Sequence, residues 1–131
     1  MKRATIIHII DDDRLFVFLT KKCIESTKIP TSVKDFGDGQ LALDYLANIQ
    51  SDSELLPDII LLDLSMPVMD GWDFLNDYTL LEPKINKKIK LYILSSSISP
   101  HDVERAKNIN SVTDFIVKPL SGEKFAALIG S

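Results

Sequence analysis

The chain has a single cysteine, Cys23, among its 131 residues, which excludes an internal disulfide framework. No apolar stretch approaches the roughly 20 residues needed to cross a membrane. The Met1-Lys2-Arg3 start is not followed by the apolar core of a signal peptide. Basic residues are outnumbered, 15 Lys and Arg against 19 Asp and Glu, and no basic stripe offers itself to nucleic acid. Internal repeats and low-complexity linkers are also missing, and no second histidine lies near His101 to make a metal pair. What remains is one domain, 1–131, of the commonest domain size, expected in a reducing cytoplasm. At 45% hydrophobic residues it is able to close a core. Cys23 falls on a helical stretch and reads as a small core residue.

Short apolar runs alternate with longer amphipathic segments. Thr5 to Ile10 reads as a strand, followed by a helix over Leu15 to Ser26 with Phe16, Leu19, Cys23 and Ile24 at helical spacing. Pro30 interrupts it, and Ser32 to Phe36 supplies a second strand. Asp38 can cap a helix carrying Leu41, Leu43, Tyr45, Leu46 and Ile49. Ile59 to Leu62, four aliphatics with no polar face, suits a strand buried on both sides. Pro67 and Asp70-Gly71 mark a loop, and a helix runs from Trp72 toward Leu81. A basic connector, Lys84 to Lys90, leads to strand Lys90 to Leu94. Ser99 and Pro100 open a helix, Phe115 to Val117 is the fifth strand, and Glu123 to Ile129 the last helix. Five strands alternating with helices predict an α/β fold built on a doubly wound parallel sheet.

The residues that close these strands carry the chemistry. Asp11, Asp12 and Asp13 follow the first strand and Asp63 the third, at the sheet edge where open α/β folds bind ligands. Crowded carboxylates repel unless a cation joins them, and hard oxygen ligands suit Mg²⁺. A plain solvated turn is the competing account of the triplet. Strand four ends in Ser95 and strand five in Lys118-Pro119. Each is weak by itself, but acids, an acid, a hydroxyl and an amine in that order point to one site.

With Ile10-Asp11-Asp12, Leu62-Asp63-Leu-Ser-Met-Pro67, Met69-Asp70-Gly71, Leu94-Ser95-Ser96 and Val117-Lys118-Pro119 in place, the chain resembles the receiver domain of two-component response regulators from about Ile6 to Ile129. The resemblance implies a flavodoxin-like five-stranded sheet in the order 2-1-3-4-5 with helices on both faces. It implies Asp63 as phosphoacceptor, Asp11 and Asp12 as organisers of Mg²⁺ together with Asp63 and the Ser65 backbone carbonyl, Ser95 as the switch hydroxyl, and Lys118 as the positioning amine after which a cis proline follows. It further implies a histidine kinase or phosphotransfer protein as donor, slow self-dephosphorylation and no external substrate. Downstream docking is expected on the face from Pro100 to Ile129, where Ile98, Val103, Ala106, Phe115 and Phe125 are candidate contacts or, for most of them equally, core residues.

Some positions depart from the family pattern. Phe115 stands where many receivers have a switch tyrosine, and either moves as an aromatic rotor or packs as a strand residue. Asp13 is expected to cap the first helix. Ser65 and Ser97 flank the approach of a hydrolytic water, leaving the acyl-phosphate lifetime open. Asn108-Ile109-Asn110 replaces a Gly-containing turn, with Asn expected to supply the left-handed backbone. His8 reads as a packed strand residue, and Trp72 as a helix residue at the acidic mouth. Gly130-Ser131 looks like a fraying end, of a stand-alone receiver or of an excised one. Two rivals remain in view. A docking module that takes no phosphate is disfavoured by the complete residue set. An aspartyl phosphohydrolase is disfavoured by Ser65, which stands where a second acid belongs.

Overall fold

The computed structural model describes residues 4–66, 69–96 and 99–130. Met1, Lys2, Arg3, Pro67, Ser97, Ile98 and Ser131, named above, lie outside them. Strands β1 (Thr5–Ile10), β2 (Thr31–Phe36), β3 (Ile59–Leu62), β4 (Lys90–Ser95) and β5 (Val112–Val117) form one parallel sheet in the order β2-β1-β3-β4-β5. Helices α1 (Arg14–Ser26), α2 (Gly39–Asn48), α3 (Gly71–Leu81), α4 (Pro100–Lys107) and α5 (Gly122–Gly130) connect and close it.

The pleat of β3 explains why its apolar run is continuous. Ile59 and Leu61 face a cluster with Val17 and Ile24 of α1 and Phe125 of α5. Ile60 and Leu62 face the opposite layer, with Leu46 of α2, Phe74 of α3 and Ala106 of α4. A strand clothed on both faces has no solvent side on which to place a polar residue.

Helix starts follow their caps. Asp13, Asp38 and Ser99 each accept a bond from the backbone N–H three residues on, at 3.1, 2.9 and 3.0 Å. Asp70 does the same for Asp73, whose carboxylate reaches back to the Asp70 amide in a reciprocal capping box.

Three sequence expectations change. Leu19, read at helical spacing with Phe16, Cys23 and Ile24, and Leu41, read among the apolar residues of the second helix, are 49% and 55% exposed, and α1 buries Val17 and Thr20 along with the expected Ile24. Apolar residues occupy so many positions of α1 from Leu15 to Leu19 that spacing alone does not select the inward face. Strand β5 begins at Val112, three residues earlier than expected, because Thr113 and Asp114 are solvent-facing residues of an edge strand. Finally, the 108–110 turn forms without left-handed asparagine. Lys28, at φ 59°, is the one non-glycine with positive φ among the described residues. A short 3-10 turn, Glu82–Lys84, follows α3 directly and leads into the basic connector.

Candidate functional site

The sheet's hydrogen-bond ladder extends one residue past the strands and fixes the backbone of each functional group. Asp11 N donates to Phe36 O at 3.0 Å, Asp63 N to Ile10 O at 2.9 Å, and Lys118 N to Ser95 O at 2.8 Å. In register, Ile10 pairs with Leu62, so Asp11 and Asp63 leave adjacent strands at the same level. β5 reaches that level through a bulge. Leu91 pairs with Val112 but Tyr92 with Asp114, and Thr113 is the extra residue, its hydroxyl accepting from Leu91 N at 3.2 Å. Without it Ile116, not Val117, would stand opposite Ser95, and Lys118 would be carried one residue further out.

Lys118 then closes the site. Its Nζ lies 3.0 Å from Asp11 Oδ2 and 3.4 Å from Asp63 Oδ1, after a Lys118-Pro119 peptide that is cis, as the resemblance implied. Asp11 is also held from its own side of the sheet. Its Oδ1 accepts from Asp13 N at 2.9 Å, and its backbone carbonyl accepts from Arg14 Nη2 at 2.9 Å. One carboxylate oxygen from each of Asp11, Asp12 and Asp63 lies within 4.8 Å of the others. Asp11 and Asp63 are buried while Asp12 is exposed.

The electrostatics follow from that crowding. Burial first, then the Asp11 charge, push the Asp63 carboxyl up to about 6, while Lys118 and a hydrogen bond from the Ser65 backbone pull it down. At neutral pH Asp63 is ionised, and one ammonium offsets two buried carboxylates. Such an excess of hard anionic oxygens is a donor set that fits Mg²⁺, which commonly keeps several waters and takes one or two carboxylates.

Beside these groups opens a cleft of about 630 Å³, lined by Asp12, Ser65, Asp70, Trp72, Ser95 and Asp102 among others. Ser95 is buried, the last residue of β4. Sequence reasoning brought Asp11, Asp12, Asp63, Ser95 and Lys118 to one edge, and the structure assembles them there. It also placed Trp72 at the acidic mouth, but not Asp102 or the Arg105 guanidinium that sits 4.3 Å over the Trp72 ring. That stack joins α3 to α4 across two separate loops, and no spacing within either helix signals it. Because Trp72 is the chain's sole tryptophan, its emission should change on titration with Mg²⁺. Arg105→Ala should alter the starting spectrum while keeping the titration midpoint within about twofold, the stack lying at the rim.

Of the remaining candidates, Asp13 caps α1 as expected. His101 is exposed on α4 and His8 is buried in β1. Phe115 is half-buried against the α2–α3–α4 layer. Ala106 and Phe125, read as either docking contacts or core, are 4% and 0% exposed and serve the core. Val103 and Phe115 are half-buried on that face, with Val117 exposed beside them.

A five-stranded 2-1-3-4-5 sheet with carboxylates, a hydroxyl and a lysine at its C-terminal edge defines a flavodoxin-like signalling module whose acidic pocket is compatible with Mg²⁺ and aspartyl phosphorylation. Residues 7–130 match the response regulator receiver domain model, and the chain belongs to that family. It is 31% identical, over 90% of its length and 74% of the relative's, to the probable methanogenesis regulatory protein FilR2 of Methanothrix harundinacea. It is 28% identical to the sensor histidine kinase CheAY of Helicobacter pylori over 92% of this chain but only 14% of that much longer protein. A crystal structure of a two component response regulator from Cytophaga hutchinsonii superposes with a TM-score of 0.84 at 26% identity, covering 98% of this chain and 96% of that one. Receiver domains work with histidine kinases or phosphotransfer proteins and are in general signalling rather than catalytic domains.

Proposed function

We propose that this single domain is a phosphorylation-dependent switch whose phosphoacceptor is Asp63. The observation that supports it best is the placement of the Asp63 carboxylate, 6% exposed, within 3.4 Å of a lysine ammonium and next in the chain to Leu64 and Ser65, which line an open acidic cleft. In the proposed reaction an Asp63 oxygen attacks the phosphorus of a phosphohistidine on a kinase or phosphotransfer protein. The O–P bond forms as the N–P bond breaks, and the leaving imidazole keeps the bonding pair and takes a proton from solvent. Asp11, Asp12, Asp63 and the Ser65 carbonyl would hold Mg²⁺, which supplies charge neutralisation at the phosphoryl oxygens. Lys118 offsets the remaining charge, and Ser95 donates a hydrogen bond to a phosphoryl oxygen in one of two loop arrangements, so phosphate shifts their populations.

The donor approaches over the site edge. There the first turns of α1 present Leu15, Phe18 and Leu19 to solvent at 66%, 54% and 49% exposure, an apolar strip suited to a partner surface. Output would use the α4–β5–α5 face, with Val103, Phe115 and Val117 as its apolar residues, and we place this chemistry in the cytoplasm. A phosphate-independent docking module is the second reading. Intact-mass measurement after incubation with Mg²⁺ and acetyl phosphate separates the two. One phosphoryl group should be gained by the wild type, none without Mg²⁺, and none by Asp63→Asn. A wild type that binds Mg²⁺ yet stays unmodified by acetyl phosphate and by phosphorylated histidine donors alike would leave the docking module standing.

A further inference from the structure

The two carboxylates are not the whole environment of the Lys118 ammonium. On a further side Nζ lies 3.9 Å from the centroid of the Phe16 ring. A cation that close to an aromatic face is attracted by the ring's quadrupole, an interaction that strengthens as water is excluded. Here the Lys118 side chain is only 14% exposed. Phe16 itself is anchored at two points. Its backbone N–H donates to the Asp13 carboxylate at the start of α1, and its ring packs against the apolar layer of α1 and α5. The turn that presents Asp11 to the site therefore also presents the ring.

We propose that Phe16 is a positioning residue that holds Lys118 in place while its other partners change. This rests on the reading of Asp63 as phosphoacceptor. Phosphorylation converts the Asp63 oxygen facing Lys118 into part of an acyl phosphate, so that contact must be exchanged for one to a phosphoryl oxygen. Asp11 is shared with the proposed cation site, so its bond to Lys118 is competed for as well. Among the partners of the Lys118 ammonium in the described residues, the Phe16 ring is the one that neither the reaction nor a cation engages. Without it, a four-carbon side chain losing both carboxylate contacts would sample solvent. The same helix carries the exposed Leu15, Phe18 and Leu19, so a donor that settles on α1 bears on the helix that carries this ring.

The test separates this role from packing. In the wild type, the Lys118 ε-methylene protons should show an upfield NMR shift from the ring. The shift should vanish in Phe16→Leu, which keeps apolar bulk without a π face, and persist in Phe16→Tyr. With acetyl phosphate at saturating Mg²⁺, Phe16→Leu should lower the maximal phosphorylation rate about fivefold. Phe16→Tyr should restore it, and the concentration giving half-maximal rate should change little in either variant. An unshifted Lys118 in the wild type, a Leu variant at the wild-type rate, or a slowing that Tyr does not restore would each overturn the proposal. If Phe16→Leu fails to fold, Phe16→Met and the wild-type spectrum decide. A wild type that takes no phosphate at all would remove the phosphoacceptor reading, whereas the NMR shift would still report on whether Phe16 holds Lys118.

Discussion

Replacing Gly71 by Ala should lower stability by about 2–3 kcal/mol, roughly 10 °C in melting temperature, although Ala is the better helix former. The reason is proximity. A Cβ at position 71 would sit 2.8 Å from Asp63 O and equally close to Leu64 Cα and one Leu64 methyl. The first two are backbone atoms and cannot swing aside. Gly71 N also donates to Leu64 O at 3.0 Å, so the loop is closed on itself at this contact. Relief requires moving either the start of α3 or the residues that aim the Asp63 carboxylate, and phosphorylation should therefore slow by more than about tenfold. Gly37→Ala is the matched control. Nothing lies within 4 Å of the Cβ it would add and its φ is not positive, so it should change stability by less than about 0.5 kcal/mol. Thermal melts and acetyl-phosphate kinetics of the two variants check the pair, and equal effects would remove the steric account.

That contact illustrates which parts of the molecule a linear reading reaches. Asp11, Asp63, Ser95 and Lys118 were legible because each follows an apolar run and a parallel sheet gathers the ends of its strands at one edge. Asp13, Asp38 and Ser99 were legible because capping is a local bond across three residues. The misjudged features depend on what lies beside a residue in space. Leu19 and Leu41 belong to helices with apolar residues on more than one side, and only the packed sheet shows which side is inward. The start of β5 was hidden by Thr113 and Asp114, polar because one is the bulge and both face water at the sheet's edge. The ring of Phe16 over Lys118 joins residues 102 positions apart, a distance no periodicity spans. The Arg105 stack on Trp72 similarly joins two helices.

Acid should act on this domain through two buried groups of opposite sign. His8, 1% exposed in β1, has its ring 5.2 Å from that of Phe36 and 5.6 Å from that of Tyr45, and its Nδ1 has no hydrogen-bond partner. Lys34 already lies over the same two rings. Burial first, then the Lys34 charge, lower the His8 pKa to about 4. The folded state thus refuses a proton that the unfolded chain accepts below about 6.5, and stability is lost as pH falls from there toward 4. Asp63 does the reverse. Its carboxyl titrates at about 6 when folded, against 3.8 in the free side chain, so the folded state takes up a proton first and gains stability over the fall from 6 to 4. Each shift corresponds to about 3 kcal/mol at most, so in metal-free buffer the two nearly cancel and the wild type should show a shallow profile. Asp35, held low by Lys21 and Arg14, loses its contribution only further down, below 3.8. The variants should separate the pair. Asp63→Asn removes the gain, so it should be more stable than wild type at pH 7 and fall steeply on acidification. His8→Phe removes the loss, so it should become more stable as pH drops from 6 to 4. On the proposed metal site, saturating Mg²⁺ would favour ionised Asp63 and should make the wild-type profile resemble that of Asp63→Asn. Urea midpoints at half-unit steps between pH 4 and 7.5, with chelator and with Mg²⁺, measure all of this. Parallel profiles for the three proteins would mean that neither burial sets the titration of these groups.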